Sequence, residues 1–140
     1  MGDELNDSQR ELVATARVAR THASAPYSNF LVGAAVRGSS GRVYGGCNVE
    51  NASYGLAMCA ERVAIFNAVS AGERQIVQLA LCTDTPMPSI PCGACRQVLA
   101  EFADTAEVIV TTVEGKTAVH RSQDLLPTPF KLDGTNARQK

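Results

Sequence analysis

Apolar residues that recur every three or four positions predict three helices along this chain. They cover residues 8–21, 59–71 and 93–102. In the first helix, Leu12 and Ala16 lie on one apolar face, and Ser8 stands where an N-cap is expected. Gly72 follows the second helix, where a C-terminal stop is typical. Residues 124–126 predict one further helical turn before a proline.

Shorter apolar runs between the helices predict five strands. They cover residues 30–36, 42–47, 76–82, 107–113 and 117–120. Turns at 38–41 and 114–115 join the first two and the last two strands into hairpins, which favours antiparallel pairing there. The nearly continuous apolar run at 76–82 is typical of a strand covered on both faces, and the strand-helix-strand order around it favours parallel pairing. We therefore expect an α/β fold with a mixed five-stranded sheet and helices on its faces.

Length and composition indicate one compact domain and narrow its possible partners. With 140 residues, 45% of them apolar, and a net charge of −1, the chain has enough apolar material for a core. The near-neutral charge argues against the basic stripe of a nucleic-acid-binding protein, and no apolar run approaches the ~18 residues of a membrane span. We expect a single domain over residues 1–140, with flexible ends at 1–6 and 133–140 and with no nucleic-acid or membrane partner.

The cysteine count bears on the cellular compartment. The five cysteines are odd in number, and the acidic start of the chain lacks the apolar core of a secretory signal. These features favour reduced thiols over a disulfide framework, and hence a cytoplasmic location. Cys82 lies in an apolar run and is expected to be a small buried side chain. Cys47, at the end of a predicted strand, is compatible with packing or with the edge of a site.

Two short motifs carry the chemistry. C-A-E-R occupies residues 59–62, and P-C-G-A-C occupies residues 91–95. A cysteine, a glutamate two positions later and then P-C-x-x-C match the zinc signature of nucleobase deaminases, with cysteine as the first ligand. Three protein ligands leave the fourth tetrahedral position of Zn²⁺ for water, as in a catalytic site. The expected zinc ligands are Cys59, Cys92 and Cys95, with Glu61 as the group that moves protons.

Both motifs lie at predicted helix starts, where free N–H groups stabilise thiolates. Positions i and i+2 of a regular helix do not share a face, so Cys59 and Glu61 can meet at one metal only if Cys59 lies in an irregular first turn. Three thiolates leave a net negative charge on a zinc site, and Arg62 is a candidate to offset it by donating a hydrogen bond to a sulfur. The alternatives are a solvated surface arginine and a glutamate that only complements the helix dipole.

A structural zinc site or a redox pair is the alternative for the cysteines. A structural site needs a fourth protein ligand, and the remaining cysteines and histidines lack convincing spacing. A redox pair would leave the C-A-E motif at 59–61 unexplained. Catalytic zinc is therefore the favoured interpretation.

Beyond these motifs, five blocks of sequence resemble the small, homotetrameric cytidine deaminases. The blocks are residues 25–35, 46–55, 59–62, 91–98 and 125–127 with Phe130. The resemblance implies a three-layer fold with helices on both faces of the sheet, and about one Zn²⁺ per chain. It also implies hydrolytic deamination of cytidine or 2′-deoxycytidine, as in pyrimidine salvage, giving ammonia and uridine or deoxyuridine. Water activated by zinc would attack C4, while Glu61 passes protons to ring N3 and to the departing amine.

The resemblance assigns substrate roles to five further positions. Phe30 would pack against the nucleoside, and Asn48 and Glu50 would bind the ribose 3′-hydroxyl. Ala60 would contact the base through its backbone. Phe130 would stack on the base from a neighbouring subunit. Without the resemblance, the two aromatic residues would be ordinary core or tail side chains, and the two polar residues would be loop surface.

Two departures from the family and three rival functions stay open at this point. Ile90 stands where the family commonly has serine, and Lys131 stands where it often has a small residue. A blasticidin S deaminase would share the fold and the zinc chemistry, but Glu50 favours a nucleoside. A polynucleotide deaminase would need an open cationic groove. A non-catalytic paralogue would bind zinc and a nucleoside or partner without turnover. The sequence does not rank cytidine against deoxycytidine.

Overall fold

The computed structural model describes residues 4–132 of the chain. The helices are α1 (Asp7–Arg20), α2 (Ala60–Ser70), α3 (Gly93–Phe102) and α4 (Ser122–Leu125), with a 3₁₀ turn at Tyr54–Leu56. The strands are β1 (Val32–Gly38), β2 (Val43–Cys47), β3 (Ile76–Thr83), β4 (Glu107–Thr112) and β5 (Thr117–Arg121). The order of elements is the predicted one.

The strands form one mixed sheet of five in the order β2-β1-β3-β4-β5. The pair β3–β4 is parallel, and the other three neighbouring pairs are antiparallel. The connection from β2 through α2 passes over β1, so β3 pairs with β1 rather than with β2. Only the connection through α3 joins neighbouring parallel strands. The predicted mixed α/β sheet is confirmed.

The sheet separates two apolar layers because successive side chains of a strand point to opposite faces. On one face, Leu12 and Ala16 of α1 pack in a cluster with Ala35, Ala80 and Cys82. The opposite face carries α2 and α3. There the helix residues Ala64, Ile65 and Leu99 pack in a cluster with the strand residues Val36, Leu79 and Val108. Helices therefore cover both faces, and the prediction that Cys82 is a buried apolar side chain is confirmed.

The N-terminal boundary differs from the prediction. The N-cap of α1 is Asn6, whose side chain accepts from the Gln9 amide while the Gln9 side chain accepts from the Asn6 amide. This reciprocal pair satisfies two N–H groups, whereas Ser8 lies inside the first turn. Leu5 is buried in the α1 cluster. The flexible ends expected at 1–6 and 133–140 stay a prediction, and residues 1–3 and 133–140 lie outside the described part.

The first strand also begins later than predicted, at Val32 instead of residue 30. Asn29 has a φ of 58°, which interrupts extended backbone before Phe30. The side chain of Asn48 then accepts from the Val32 amide at 2.9 Å and donates to the Phe30 carbonyl at 2.7 Å. Side-chain hydrogen bonds thus replace strand pairing in the segment that leads into β1.

A close approach between β2 and α2 sets the position of the second helix. A Cβ at Gly46 would lie 2.4 Å from the Ala64 amide nitrogen and 2.9 Å from the Ala60 carbonyl oxygen. Only glycine permits this approach, so Gly46 holds the first turns of α2 against the sheet. Within residues 4–132, no helix combines the length and apolar character needed to cross a membrane.

Candidate metal centre and active site

Two helix starts meet on the same side of the sheet and bring the three predicted thiols together. Cys59 is the N-cap of α2 and Cys92 is the N-cap of α3, both with extended backbone. Neither thiol caps its own helix, so both are free to face a ligand. Cys59 therefore lies outside the regular turns, which is the condition under which it and Glu61 can face one metal.

The geometry of the thiols suits zinc. The Sγ atoms of Cys59, Cys92 and Cys95 all lie within 4.8 Å of one another, and those of Cys59 and Cys92 are 3.8 Å apart. Two sulfurs bound tetrahedrally at about 2.3 Å from zinc would be about 3.8 Å apart. The cluster found among residues 4–132 has no fourth His, Cys, Asp or Glu member. The donor set thus matches an open three-ligand site better than a closed structural one.

Hydrogen bonds concentrate negative charge on one thiol of the cluster. The pKa of Cys59 is lowered to about 5, mainly by its hydrogen bond with Cys95 and further by Arg62. The Arg62 Nη2 atom donates to the Cys59 sulfur at 3.4 Å, as the sequence hypothesis expected. The pKa of Cys95 is raised, first by that same bond to Cys59 and then by burial. Arg62 therefore contacts the sulfur that most readily carries charge.

Glu61 lies in the first turn of α2 and is only 5% exposed. Its pKa is raised to about 7, mainly by burial and also by the neighbouring Cys59 thiolate, against the opposing effects of its own amide, Arg62 and Cys95. A carboxyl group with a pKa near neutrality exchanges protons readily in both directions. Such a buried carboxyl differs from one that only complements the helix dipole, which would remain in solvent, and it is compatible with the predicted acid–base role.

A cavity of about 290 Å³ opens beside this cluster. Of the residues that the sequence associated with substrate, those lining the cavity are Phe30, Asn48, Glu50 and Ala60, together with Cys59, Glu61 and Cys92. Val32, Leu81 and Ile90 contribute apolar surface to the walls, so the Ile90 departure lies at the cavity itself. The structure thus brings four of the five predicted substrate residues to one space with the metal centre.

The two polar wall residues are already hydrogen-bonded within the chain. Both functions of the Asn48 amide contact the backbone around Phe30 and Val32. Glu50 Oε1 accepts from the amides of Tyr27 and Ser28 at 2.9 and 3.2 Å, and its Oε2 accepts from the Ser28 hydroxyl. The hydrogen bond from Ser28 lowers the pKa of Glu50, although burial opposes it. Glu50 is therefore a fixed carboxylate rather than a solvated loop side chain.

Phe130 does not line the cavity of its own chain. The residue is 71% exposed, and its backbone is hydrogen-bonded to the Gln97 side chain of α3. The Gln97 amide donates to the Phe130 carbonyl at 2.9 Å and accepts from the Phe130 amide at 3.2 Å. Arg96 donates to the Leu125 carbonyl at 3.0 Å, so α3 fixes the C-terminal segment at two points. Cys47 is half-buried in β2 opposite Gly33, away from the thiol cluster.

Sequence analysis did not identify Ser28 and Gln97. Ser28 had a local signal, since serine before Asn29 and a strand is typical of turns. Its partner Glu50 is 22 positions away in the chain. Gln97 follows Cys95 closely but contacts a segment 33 positions further on. Side-chain to backbone bonds of this range leave no periodic pattern in a sequence.

The fold and the site define an α/β protein with an open three-thiolate metal centre beside a buried carboxyl. Residues 6–112 match the family model described as the cytidine and deoxycytidylate deaminase zinc-binding region. The chain is 46% identical over 124 residues to the cytidine deaminase of Sporosarcina psychrophila, covering 88% of this chain and 91% of that one. It is also 46% identical over 127 residues to the cytidine deaminase of Halalkalibacterium halodurans, covering 89% and 96% respectively.

Solved structures of cytidine deaminases are also similar to this chain. A crystal structure of cytidine deaminase from Burkholderia pseudomallei superposes with a TM-score of 0.85 at 47% identity, covering 90% of this chain and all of that one. The cytidine deaminase of Mycobacterium tuberculosis superposes with a TM-score of 0.77 at 37% identity, covering 91% of this chain. The chain belongs to the family of zinc-binding cytidine and deoxycytidylate deaminases. Zinc is accordingly the metal of this family, and the three thiols are placed so that they could hold a metal ion.

Proposed function

We propose that this protein is a cytidine deaminase, which hydrolyses cytidine or 2′-deoxycytidine to the corresponding uridine and ammonia. The observation that carries the proposal is the buried Glu61 carboxyl, placed beside three convergent thiols on a cavity of nucleoside size. The 46% identity to named cytidine deaminases over most of the chain supports this activity over other zinc hydrolases.

In this proposal the protein holds one zinc per chain through Cys59, Cys92 and Cys95. Bound zinc supplies Lewis acidity, which makes water nucleophilic near neutral pH. Glu61 accepts a proton from the attacking water and delivers it to ring N3. It then takes the remaining proton of that water and delivers it to the amino group, which leaves C4 as ammonia while the water oxygen stays on C4. A pKa of about 7 lets Glu61 act in both directions without a large energetic penalty in either step.

Substrate contacts follow from the cavity walls. Phe30 is 42% exposed and offers an aromatic face to the nucleoside. The backbone of the fully buried Ala60 would contact the base beside Glu61. Asn48 and Glu50 would bind the sugar 3′-hydroxyl. The walls are largely apolar, which favours a free nucleoside over a charged strand.

The remaining substrate residue implies self-association. Phe130 lies outside its own cavity, with an exposed ring and a fixed backbone. We propose that it stacks on the base bound by a neighbouring subunit of a homotetramer. Reduced cysteine ligands also favour the cytoplasm as the location of the protein.

The test is the decrease in ultraviolet absorbance when cytidine is added to protein of known zinc content. The parent protein should consume cytidine, and Glu61→Ala should be nearly inactive while it retains zinc. Glu101→Gln, on the exposed side of α3, is the matched control and should keep parental turnover. Activity on blasticidin S but not on cytidine, or zinc binding without any turnover, would contradict the proposal. Sedimentation would test the tetramer separately.

A further inference from the structure

The Glu50 carboxylate has a nearly complete set of hydrogen bonds before any ligand binds. A carboxylate has about four acceptor positions, two on each oxygen. Both positions of Oε1 are used by the amides of Tyr27 and Ser28. One position of Oε2 is used by the Ser28 hydroxyl. Among the contacts within residues 4–132, one acceptor position is therefore left, on the oxygen that already contacts Ser28.

The direction of the Ser28 hydroxyl is also fixed. The amide of Phe30 donates to Ser28 Oγ at 3.0 Å, so this oxygen is already an acceptor from the backbone. Its own hydrogen is directed to Glu50 Oε2. The backbone between these two residues passes through Asn29 with its φ of 58°. Ser28 thus connects a turn of unusual conformation to a carboxylate that lines the cavity.

We propose that Ser28 is a positioning residue, which orients Glu50 so that its one free acceptor position binds the 3′-hydroxyl of the nucleoside. This inference rests on the proposed function, because it assigns the ligand of Glu50 to a sugar hydroxyl. A site with one free acceptor on an ionised carboxylate selects a hydrogen-bond donor. It disfavours a sugar whose 3′-oxygen carries a phosphate, since that group has no donor and repels the carboxylate.

The mechanism makes a specific prediction about substrates. If Ser28 acts through Glu50 and the 3′-hydroxyl, a substrate that lacks this hydroxyl should not respond to loss of Ser28. The experiment therefore measures kcat and KM for cytidine, 2′-deoxycytidine and 3′-deoxycytidine, with zinc-loaded parent and variants. The variants are Ser28→Ala, the hydroxyl-preserving Ser28→Thr, and Ser39→Ala as a control at an exposed serine of the β1–β2 turn.

Ser28→Ala should lower kcat/KM about tenfold for cytidine and 2′-deoxycytidine, mainly through KM, because one oriented hydrogen bond is weakened. For 3′-deoxycytidine the change should stay within about twofold, the size of effect expected when the responding interaction is absent. Ser28→Thr should recover most of the loss, and Ser39→Ala should match the parent. In a Glu50→Gln background, Ser28→Ala should cause little additional loss, because the two residues act through one interaction.

An equal loss on all three substrates would overturn the inference and assign Ser28 to loop stability alone. No loss on any of them would overturn it as well. Failure of the proposed function is distinguishable, because the parent protein itself would then fail to consume cytidine.

Discussion

Two buried glutamates at opposite ends of α2 behave in opposite ways. Glu61 lies in the first turn and Glu73 lies just beyond the last turn, and they are 5% and 7% exposed. Burial raises the pKa of Glu61 to about 7. Hydrogen bonds from the hydroxyls of Ser40 and Tyr44 lower the pKa of Glu73, with Ser40 as the larger cause, although burial opposes them.

The comparison shows that burial alone does not decide what a carboxylate does. Glu73 is held as an anion by two hydroxyl donors from the β1–β2 hairpin, so it connects this hairpin to the end of α2. Glu61 faces a cavity and a thiol cluster, and its pKa lies near neutrality. We therefore expect the first end of the helix to serve chemistry and the second end to serve stability.

The largest effect should follow from removing Cys95, a buried predicted metal ligand of α3 that faces the first end of α2. Cys95→Ser should reduce bound zinc well below one per chain and turnover to background, because only three ligands hold the metal. Zinc content by atomic absorption and the ultraviolet assay measure both effects. Cys82→Ala, a buried cysteine on the opposite face of the sheet, is the control and should retain zinc. Full zinc content in Cys95→Ser would contradict the ligand assignment.

A smaller effect at the same end should follow from Arg62→Gln. The substitution removes the donor to the Cys59 sulfur, so more negative charge stays on the thiolates and water at the zinc is less acidified. Outer-shell partners of metal ligands typically contribute about 10-fold to 100-fold, and we expect a loss of turnover near the lower value. Zinc affinity is measured by competition with a chelator. Unchanged turnover and unchanged zinc affinity would show that Arg62 does not contribute to the function of the site.

At the second end of α2, Gly38→Ala should affect the stability of the protein rather than its activity. A Cβ at Gly38 would lie 2.1 Å from the Glu73 carboxyl carbon, so the carboxylate would have to leave its hydroxyl donors. We expect a loss of about 1–3 kcal/mol in the free energy of unfolding, with kcat nearly unchanged. Urea unfolding measures it. In a Glu73→Ala background, Gly38→Ala should lower the free energy of unfolding by less, because the clashing carboxylate is absent. An equal loss in both backgrounds would contradict this cause.

The smallest expected effect is the pH dependence of the stability that Glu73 contributes. Since the folded-state pKa of Glu73 is lowered, its contribution to stability is present above the unfolded pKa and is lost as pH falls through the folded value. Glu73→Gln should therefore be less stable than the parent at pH 7, and the difference should vanish in strong acid. Paired urea titrations across this range provide the measurement. A difference that stays constant with pH would assign the effect to packing.

The convergence of the three thiols could be predicted from sequence because each of the three cysteines coincides with a local signal. Cys59 and Cys92 are helix N-caps, and Cys95 is one turn further into α3, so spacing and helix start together define the cluster. The N-cap of α1 was misplaced because Ser8 and Asn6 are both good capping residues. The Asn6–Gln9 pair was the better signal, since it satisfies both backbone amides.

The surroundings of the site were less accessible from sequence. The role of Glu73 depends on Ser40 and Tyr44, which lie 33 and 29 positions away. The contacts of Ser28 and Gln97 likewise depend on tertiary positions rather than on periodicity. The roles of Phe30, Asn48, Glu50, Ala60 and Phe130 came from family resemblance and stay predictions. Short motifs can thus be identified from the sequence, whereas the long-range hydrogen bonds that orient the side chains can be identified only from the structure.

The most direct test measures kcat/KM for cytidine and the free energy of unfolding for Glu61→Gln and Glu73→Gln together. Glu61→Gln should lose about 10³-fold in kcat/KM, because the acid–base group is gone, while zinc content is unchanged. Glu73→Gln should keep kcat/KM within about twofold and lose stability at neutral pH. If Glu61→Gln retains more than about a tenth of parental activity, or if both variants lose activity equally, proton transfer by Glu61 is contradicted.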